Sequence, residues 1–174
     1  MRHNNKGMSL VEIVTVVAIL SLLVGIVSYG FSLSSSRDVD TCAQKLSSSI
    51  QHTRTVTMGK NKTTITIKYK DEKIVVNEFV QIRKDDGTLV PNNKETVLGK
   101  KGVTLRYTLE GGSELVLAAT DSLELEFDRG SGALLKTRIN GTEVALCKGL
   151  RVVRGSKNAT IDIVPLTGKV TVRN

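Results

Sequence analysis

The chain begins with a short polar segment that is followed by a long apolar one. Residues 1–7 read MRHNNKG, and the stretch 8–31 then contains a single charged residue, Glu12. A helix over this stretch would span about 36 Å, more than the roughly 30 Å of a bilayer's hydrocarbon core. The pattern therefore predicts a transmembrane helix. Arg2 and Lys6 before it favour a cytoplasmic N-terminus, with the rest of the chain outside.

After the apolar stretch the pattern becomes amphipathic. Apolar residues over 39–50 recur at spacings of three and four, which is the spacing of one buried helical face. The helix is therefore predicted to continue to about residue 60, where Gly59 suits a C-terminal cap. In the alternative, Asp38 or Asp40 caps a separate helix. The apolar positions are Val39, Cys42 or Ala43, Leu46 and Ile50.

The remaining residues alternate between apolar and polar positions, the period of a β-strand with one buried face. Asn140-Gly141, between two such runs, is the best hairpin signal in the chain. Asp85-Asp86-Gly87 and Pro91-Asn92-Asn93 predict an exposed loop. The predicted strands lie near residues 65–69, 73–83, 103–109, 115–119, 123–127, 136–139, 142–147, 150–153, 159–164 and 169–173.

These patterns together predict an α+β fold. A long N-terminal helix, transmembrane in its first half and amphipathic in its second, packs on a largely antiparallel β-sheet head. The expected segments are a leader at 1–7, a transmembrane helix at 8–31, its amphipathic continuation at 32–60 and the head at 61–174. With 174 residues, the chain is long enough for one domain with a hydrophobic core.

Glu12 distinguishes between three interpretations of the N-terminus. A charge inside an apolar helix costs about 2.5–3.5 kcal/mol at the bilayer centre. A secretory signal peptide, cut near Ser28-Tyr29-Gly30, and a plain membrane anchor both leave that cost unexplained. The run KGMSLVE at residues 6–12 instead resembles the class III leader of type IV pilins and type II secretion pseudopilins. That leader has a basic residue and a Gly, and a Glu five residues beyond the Gly.

The resemblance implies a processing pathway and an assembly role. In this family a prepilin peptidase cuts after the Gly and the new first residue is N-methylated, which implies cleavage between Gly7 and Met8 and methylation of Met8. Glu12 would guide assembly, because a carboxylate inside a filament needs a cation such as the Met8 amine of a neighbouring subunit. The implied partners are the peptidase, other pilin or pseudopilin subunits and the assembly platform in the cytoplasmic membrane. The implied destination is a cell-surface or periplasmic filament, reached from that membrane.

Two segments of the head resemble the GspH/FimT-like branch of minor pseudopilins. One is LEFDRG at Leu125–Gly130, and the other is IDIVPLTGKV at Ile161–Val170. The resemblance implies a minor structural subunit of a type IV pilus, a type II secretion system or a DNA-uptake machine.

The charge of the chain leaves a second function open. There are 25 Lys and Arg against 17 Asp and Glu, a formal net charge of +8. The excess is spread along the chain, which favours an ordinary solvated surface. One group lies around a predicted turn and would form a phosphate-binding strip in a competence-type pseudopilin that contacts DNA. Its members are Lys60, Lys62, Lys68, Lys70 and Lys73.

The two cysteines, Cys42 and Cys147, have two interpretations. A disulfide between them would attach the helix to the sheet and close a loop of roughly 100 residues, worth about 4–5 kcal/mol in the entropic description. Alternatively, both are buried thiols that pack as small hydrophobes.

No catalytic, phosphate-binding or metal-binding motif is recognisable in the sequence. We therefore expect a non-enzymatic subunit without a cofactor or a metal site. An exported enzyme with an uncleaved anchor is the remaining alternative, and it lacks a catalytic constellation.

Overall fold

The computed structural model describes residues 10–59, 62–83 and 88–173, without the side chains of 25–36, 82, 83 and 89. The chain divides into two compact units, Met1–Ser35 and Ser36–Asn174. Within the described part of the chain, no helix is both long enough and apolar enough to cross a membrane. The predicted leader, Lys60 and the predicted loop residues Asp85-Asp86-Gly87 lie outside the described residues.

Helix α1 comprises Leu10–Met58. Within the second unit it buries the predicted face, because Val39, Leu46 and Ile50 are at most 1% exposed. The helix ends where expected: the amide of Gly59 donates to the carbonyl oxygens of Thr55 and Val56 at 3.2 Å. The amphipathic period therefore identified both the buried face and the end of the helix.

The strands form two antiparallel sheets. The first has the strand order β3-β2-β1-β6-β7-β8, and the second has the order β11-β10-β9-β4-β5. The strand bounds are β1 Lys62–Lys70, β2 Lys73–Arg83, β3 Leu89–Val97, β4 Thr104–Leu109, β5 Glu114–Val116, β6 Ser122–Phe127, β7 Leu134–Ile139, β8 Thr142–Val144, β9 Cys147–Arg154, β10 Lys157–Val164 and β11 Lys169–Arg173.

The prediction of a loop at Pro91-Asn92-Asn93 is wrong. These residues belong to β3, where Pro91 lies opposite Gln81 and Asn93 opposite Phe79 on β2. Strand β3 is at the edge of its sheet. Proline is tolerated there, because one side of an edge strand needs no amide donor.

The hairpin at Asn140-Gly141 is confirmed. Both residues have positive φ, 52° and 80°, and Ile139 pairs with Thr142 across the turn. This is the type I′ geometry that matches the twist of the flanking strands. A second two-residue turn of the same kind joins β1 to β2 through Asp71 and Glu72, with φ of 51° and 62°.

One hydrophobic cluster joins the second part of α1 to the inner faces of both sheets. On β1 the buried positions alternate strictly with outward ones, so that Ile65 and Ile67 face inward while Thr64 and Thr66 face outward. Complete burial of one such aliphatic side chain contributes about 1.5–3 kcal/mol. The outer face of β1 is thereby left to threonine and lysine side chains.

Candidate functional site

Glu12 lies in the first turn of α1 and its side chain is exposed. The apolar side chains around it are exposed as well, from 46% at Val16 to 77% at Leu10. The residues predicted for cleavage and methylation, Gly7 and Met8, lie outside the described part of the chain. The described segment therefore offers one carboxylate on an uncovered apolar helix.

The hydroxyl groups of this segment bond within the helix. Thr15 donates to the carbonyl oxygen of Val11, and Ser21 donates to that of Val17 at 2.8 Å. Such bonds to the preceding turn satisfy a hydroxyl without an outside partner. Among the described residues, Glu12 has no ion-pair partner.

The structure places four of the five predicted lysines on one face of the first sheet. Lys62, Lys68 and Lys70 lie on the outer face of β1, and Lys73 on β2 pairs directly with Lys70. Thr64 and Thr66 interrupt the row between Lys62 and Lys68. The fifth, Lys60, lies outside the described residues.

Acidic residues from neighbouring strands reduce the charge of this lysine row. Lys70 Nζ lies 2.7 Å from Glu95 Oε1 on β3. That hydrogen bond raises the pKa of Lys70 and lowers the pKa of Glu95. On the other side, Glu124 and Glu126 of β6 pair with Thr66 and Thr64. The face is therefore mixed in charge, a feature that the spacing of the lysines could not show.

The structure describes Cys42 and Cys147 as free, buried thiols, which is the second of the two interpretations of the sequence. Their sulfur atoms have separate surroundings. A Cβ on Gly99 would lie 3.1 Å from the sulfur of Cys42, whereas the thiol of Cys147 donates to the carbonyl of Gly149 at 3.5 Å. Burial raises the pKa of each thiol to about 12. Both therefore stay protonated and unreactive near neutral pH.

Sequence reasoning missed three contacts in which buried or half-buried charges join separate elements. Asp38 on α1 binds Lys100 at 2.8 Å and also Arg154 on β9. His52 Nδ1 lies 3.0 Å from Oε2 of the buried Glu78 on β2. Polar residues such as these give no periodic signal of their partners, which are distant in sequence.

The third missed contact is on the outer face of the first sheet. Arg138 of β7 donates to Glu124 Oε1 at 3.0 Å and to Glu126 Oε2 at 2.9 Å. The alternation of Glu124 and Glu126 did place both carboxylates on one face of a strand. What the sequence lacked was the information that β7 lies beside β6 in a register that aligns Arg138 with Glu124.

Comparison with known proteins bears on the N-terminus alone. Residues 2–28 match the family described as "Prokaryotic N-terminal methylation motif". No curated protein and no solved structure matches the chain. The match includes Glu12 and the predicted cleavage position but none of the β-rich head.

This match confirms the resemblance to the class III prepilin leader, which supports the type IV pilin and pseudopilin family. Members of that class are structural subunits. The GspH/FimT-like branch stays a prediction, because neither head segment lies within the matched residues.

Proposed function

We propose that this chain is a minor pilin or pseudopilin. A prepilin peptidase cuts it between Gly7 and Met8, Met8 is N-methylated, and the N-terminal helix then assembles into a type IV pilus or a type II secretion-like pseudopilus. Before assembly the subunit is held in the cytoplasmic membrane by residues 8–31, with the head outside. The match of residues 2–28 to the methylation motif is the observation that carries this proposal.

The exposed apolar surface of α1 supports the assembly step. All the large apolar side chains from Leu10 to Val24 are at least 46% exposed. A helix that is apolar on every side requires an apolar environment on every side. Lipid provides that environment before assembly, and the helices of neighbouring subunits provide it within a filament.

In this proposal Glu12 sets the register of assembly. An unpaired carboxylate is costly in an apolar bundle, whereas a pair with a neighbour's N-terminal ammonium at Met8 offsets that cost. A shift of one helical turn, about 5.4 Å, would leave both charges without a partner. The peptidase is required because cleavage creates the ammonium group next to the apolar segment.

The test is the intact mass of the protein from its native membranes, together with the spectrum of its N-terminal peptide. We expect a chain that starts at Met8 and carries one additional methyl group. A start near Phe31 would instead mean ordinary signal-peptide cleavage, and a start at Met1 would mean an uncleaved anchor. Either result would contradict the proposal.

Glu12→Gln separates processing from assembly. The variant should be cleaved and methylated but absent from filaments sheared from the cells, because a neutral amide cannot neutralise the charge of the neighbour's ammonium. Glu72→Gln is the matched control, since Glu72 is an exposed head residue in a turn. Filaments that contain the Glu12→Gln subunit at the normal level would exclude the proposed role of this carboxylate.

DNA contact by the head is the second candidate, favoured by the shared face of Lys62, Lys68 and Lys70. Phosphate contacts would make binding strongly salt-dependent. Lys68→Glu should then reduce the affinity for duplex DNA at low salt. Lys148→Glu, on the other sheet, should not. No DNA binding at low salt would eliminate this candidate.

A further inference from the structure

The outer face of the first sheet contains a depression of about 400 Å³. Its floor is formed by Thr64 and Thr66 of β1 and by Asn77 of β2, which pairs with Thr66. Longer side chains surround this floor, among them Phe79, opposite Thr64, and Glu124, opposite Thr66. The volume is in the range of about 300–1,000 Å³ that is usual for small-molecule sites.

The floor offers hydrogen-bonding groups that the described residues do not use. The carbonyl oxygen Oδ1 of Asn77 is buried and accepts no hydrogen bond from the described part of the chain. The side-chain hydroxyls of Thr64 and Thr66 also have no partner there. A hydroxyl group of a ligand cannot reach that closed-off oxygen, but it can reach the two threonine hydroxyls, which are open to solvent.

The charges that line the depression cancel. Arg138 binds Glu124 and Glu126 at 3.0 and 2.9 Å, and Lys62 supplies the second positive charge. Two cations and two carboxylates leave no net charge to attract an anion. Because Arg138 holds both carboxylates in place, each of them presents its remaining lone pairs in a fixed direction.

Phe79 adds an apolar surface to this polar site. It is half-buried on the outer face, in a chain with only 3 Phe residues and no Trp. An aromatic ring at the rim of a groove offers a flat face to the C–H groups of a ligand. Hydroxyls, an amide, fixed carboxylates and one ring together match a neutral molecule that has many hydroxyl groups and an apolar ring face.

We propose that this depression binds a sugar residue of a neutral saccharide, with Thr64 and Thr66 forming hydrogen bonds to its ring hydroxyls and Phe79 contacting the C–H face. Glu124 and Glu126 accept from further hydroxyls, and Thr64 and Thr66 both donate and accept. The proposal does not depend on cleavage or filament assembly, because every residue it uses lies in the head.

The test is titration of the full-length chain with neutral hexoses, N-acetylhexosamines and their short oligomers, followed by two-dimensional NMR of the backbone amides. The protein is kept in phosphocholine micelles, because a glycoside detergent would itself present sugars. We expect saturable shifts of amides in 64–66, 77–79 and 124–126. The amides of β9 and β10 in the other sheet should stay unchanged.

Two variants and a matched control identify the site. Thr66→Val removes a floor hydroxyl at nearly constant shape, and Phe79→Leu removes the flat ring but keeps an apolar side chain. Each should weaken binding at least about tenfold, the effect of roughly 1.4 kcal/mol. Gln81→Leu is the control, since Gln81 lies on the same face of β2 but outside the depression. Its binding should match that of the unaltered protein.

Several results would overturn the proposal. One is the absence of shifts with every saccharide, and another is shifts confined to the other sheet. A third is binding by both variants as tight as that of the unaltered protein, when their amide spectra show an intact fold. Shifts of the same amides with duplex DNA or an acidic peptide, but with no saccharide, would also overturn it. Thr64→Val, which is also nearly isosteric, provides the same test if Thr66→Val does not fold.

Discussion

Two parts of helix α1 are rich in apolar residues, yet they differ in what covers them. From Leu10 to Val24 every large apolar side chain is at least 46% exposed. From Val39 to Ile50 the apolar side chains are at most 1% exposed and pack on the inner faces of the sheets. Apolar content is therefore a poor guide to where a helix finds its partner.

The arrangement of the apolar residues explains the difference. The second part confines them to positions three and four apart, so one face meets the sheets and the other meets water. The first part has them on all sides, and a sheet packed on one face would leave the others uncovered. The second part thus has its partner in its own chain, whereas the large apolar side chains of the first part are exposed.

The largest expected effect comes from truncating the same residue type in the two parts. Leu46→Ala removes a side chain that is 0% exposed, and should lower the free energy of unfolding by about 3–5 kcal/mol. Leu20 is 54% exposed, and its replacement by Ala should change the free energy of unfolding by less than about 0.5 kcal/mol. Urea unfolding of the full chain in micelles, followed by circular dichroism, measures both. Equal losses would mean that the first part is also buried by the head.

A smaller effect is expected where the second part of α1 ends. Arg54 donates to the carbonyl oxygen of Gly132 at 3.1 Å, and a Cβ on Gly168 would overlap that same oxygen. Gly168 also has a φ of +62°. Gly168→Ala should therefore destabilise the fold by about 2–3 kcal/mol, combining overpacking with backbone strain.

Gly141→Ala is the control for the backbone contribution. Gly141 has a φ of +80° but no atom within 4 Å of its Cβ position. Its replacement should cost only about 1 kcal/mol. If the two variants lose the same stability by urea unfolding, the contact between Gly132 and Gly168 does not contribute.

The next effect concerns the carboxylate of Asp38, which lies just before the second part of α1. Asp38 is 11% exposed and binds Lys100 and Arg154, so Asp38→Asn should lower the free energy of unfolding by about 1–3 kcal/mol at pH 7. The hydrogen bond from Lys100 is the largest cause that holds the pKa of Asp38 below its ordinary 3.8. Such a carboxyl stabilises the fold fully at pH values above the pKa that it has in the unfolded chain. This contribution is lost as the pH falls through the pKa that it has in the folded protein.

The unaltered protein and Asp38→Asn should accordingly converge in stability as the pH falls below 3.8 and through the pKa of Asp38 in the folded protein. Urea unfolding at pH 7 and in acid measures this. Asp40→Asn is the control, since Asp40 forms no ion pair with any described residue. A difference for Asp38→Asn that persists undiminished in acid would show that its effect is not electrostatic.

Local periodicity predicted the elements that have one buried face. Val39, Leu46 and Ile50 identified the buried face of α1, and alternation around Ile65 and Ile67 identified the inner face of β1. Strand β3 escaped prediction because an exposed edge strand has no buried face to impose alternation, and its Pro91 resembled a loop signal. The second sheet was missed because alternation shows which face is buried, not which strands are neighbours.

The candidate sites were predictable to the same extent. The leader is a contiguous motif, so residues 6–12 were sufficient to identify it. The shared face of Lys62, Lys68 and Lys70 followed from their even spacing. Their acidic neighbours did not, because Glu95 and Glu126 come from β3 and β6, whose registers depend on the whole sheet.

The smallest expected effect is a gain in stability at the turn between β1 and β2, which folds entirely within the head. Asp71 and Glu72 both have positive φ, which costs a residue with a Cβ about 1–2 kcal/mol. Glu72→Gly removes that cost at one position. Against this gain, glycine increases the conformational entropy of the unfolded chain. The substitution also removes an exposed ion pair with Lys101, which contributes little. We expect a net gain of about 0.5 kcal/mol in the free energy of unfolding.

Lys101→Ala measures the contribution of the ion pair alone. Gly141→Glu supplies the reverse change in the equivalent turn between β7 and β8, and should cost about 1 kcal/mol. Urea unfolding of all three variants tests whether backbone conformation determines the effect. A loss on Glu72→Gly larger than the loss on Lys101→Ala would mean that the strain at Glu72 is absent. An unchanged NMR spectrum of residues 10–24 in Glu72→Gly would show that the stability of the head can change without affecting the exposed part of α1.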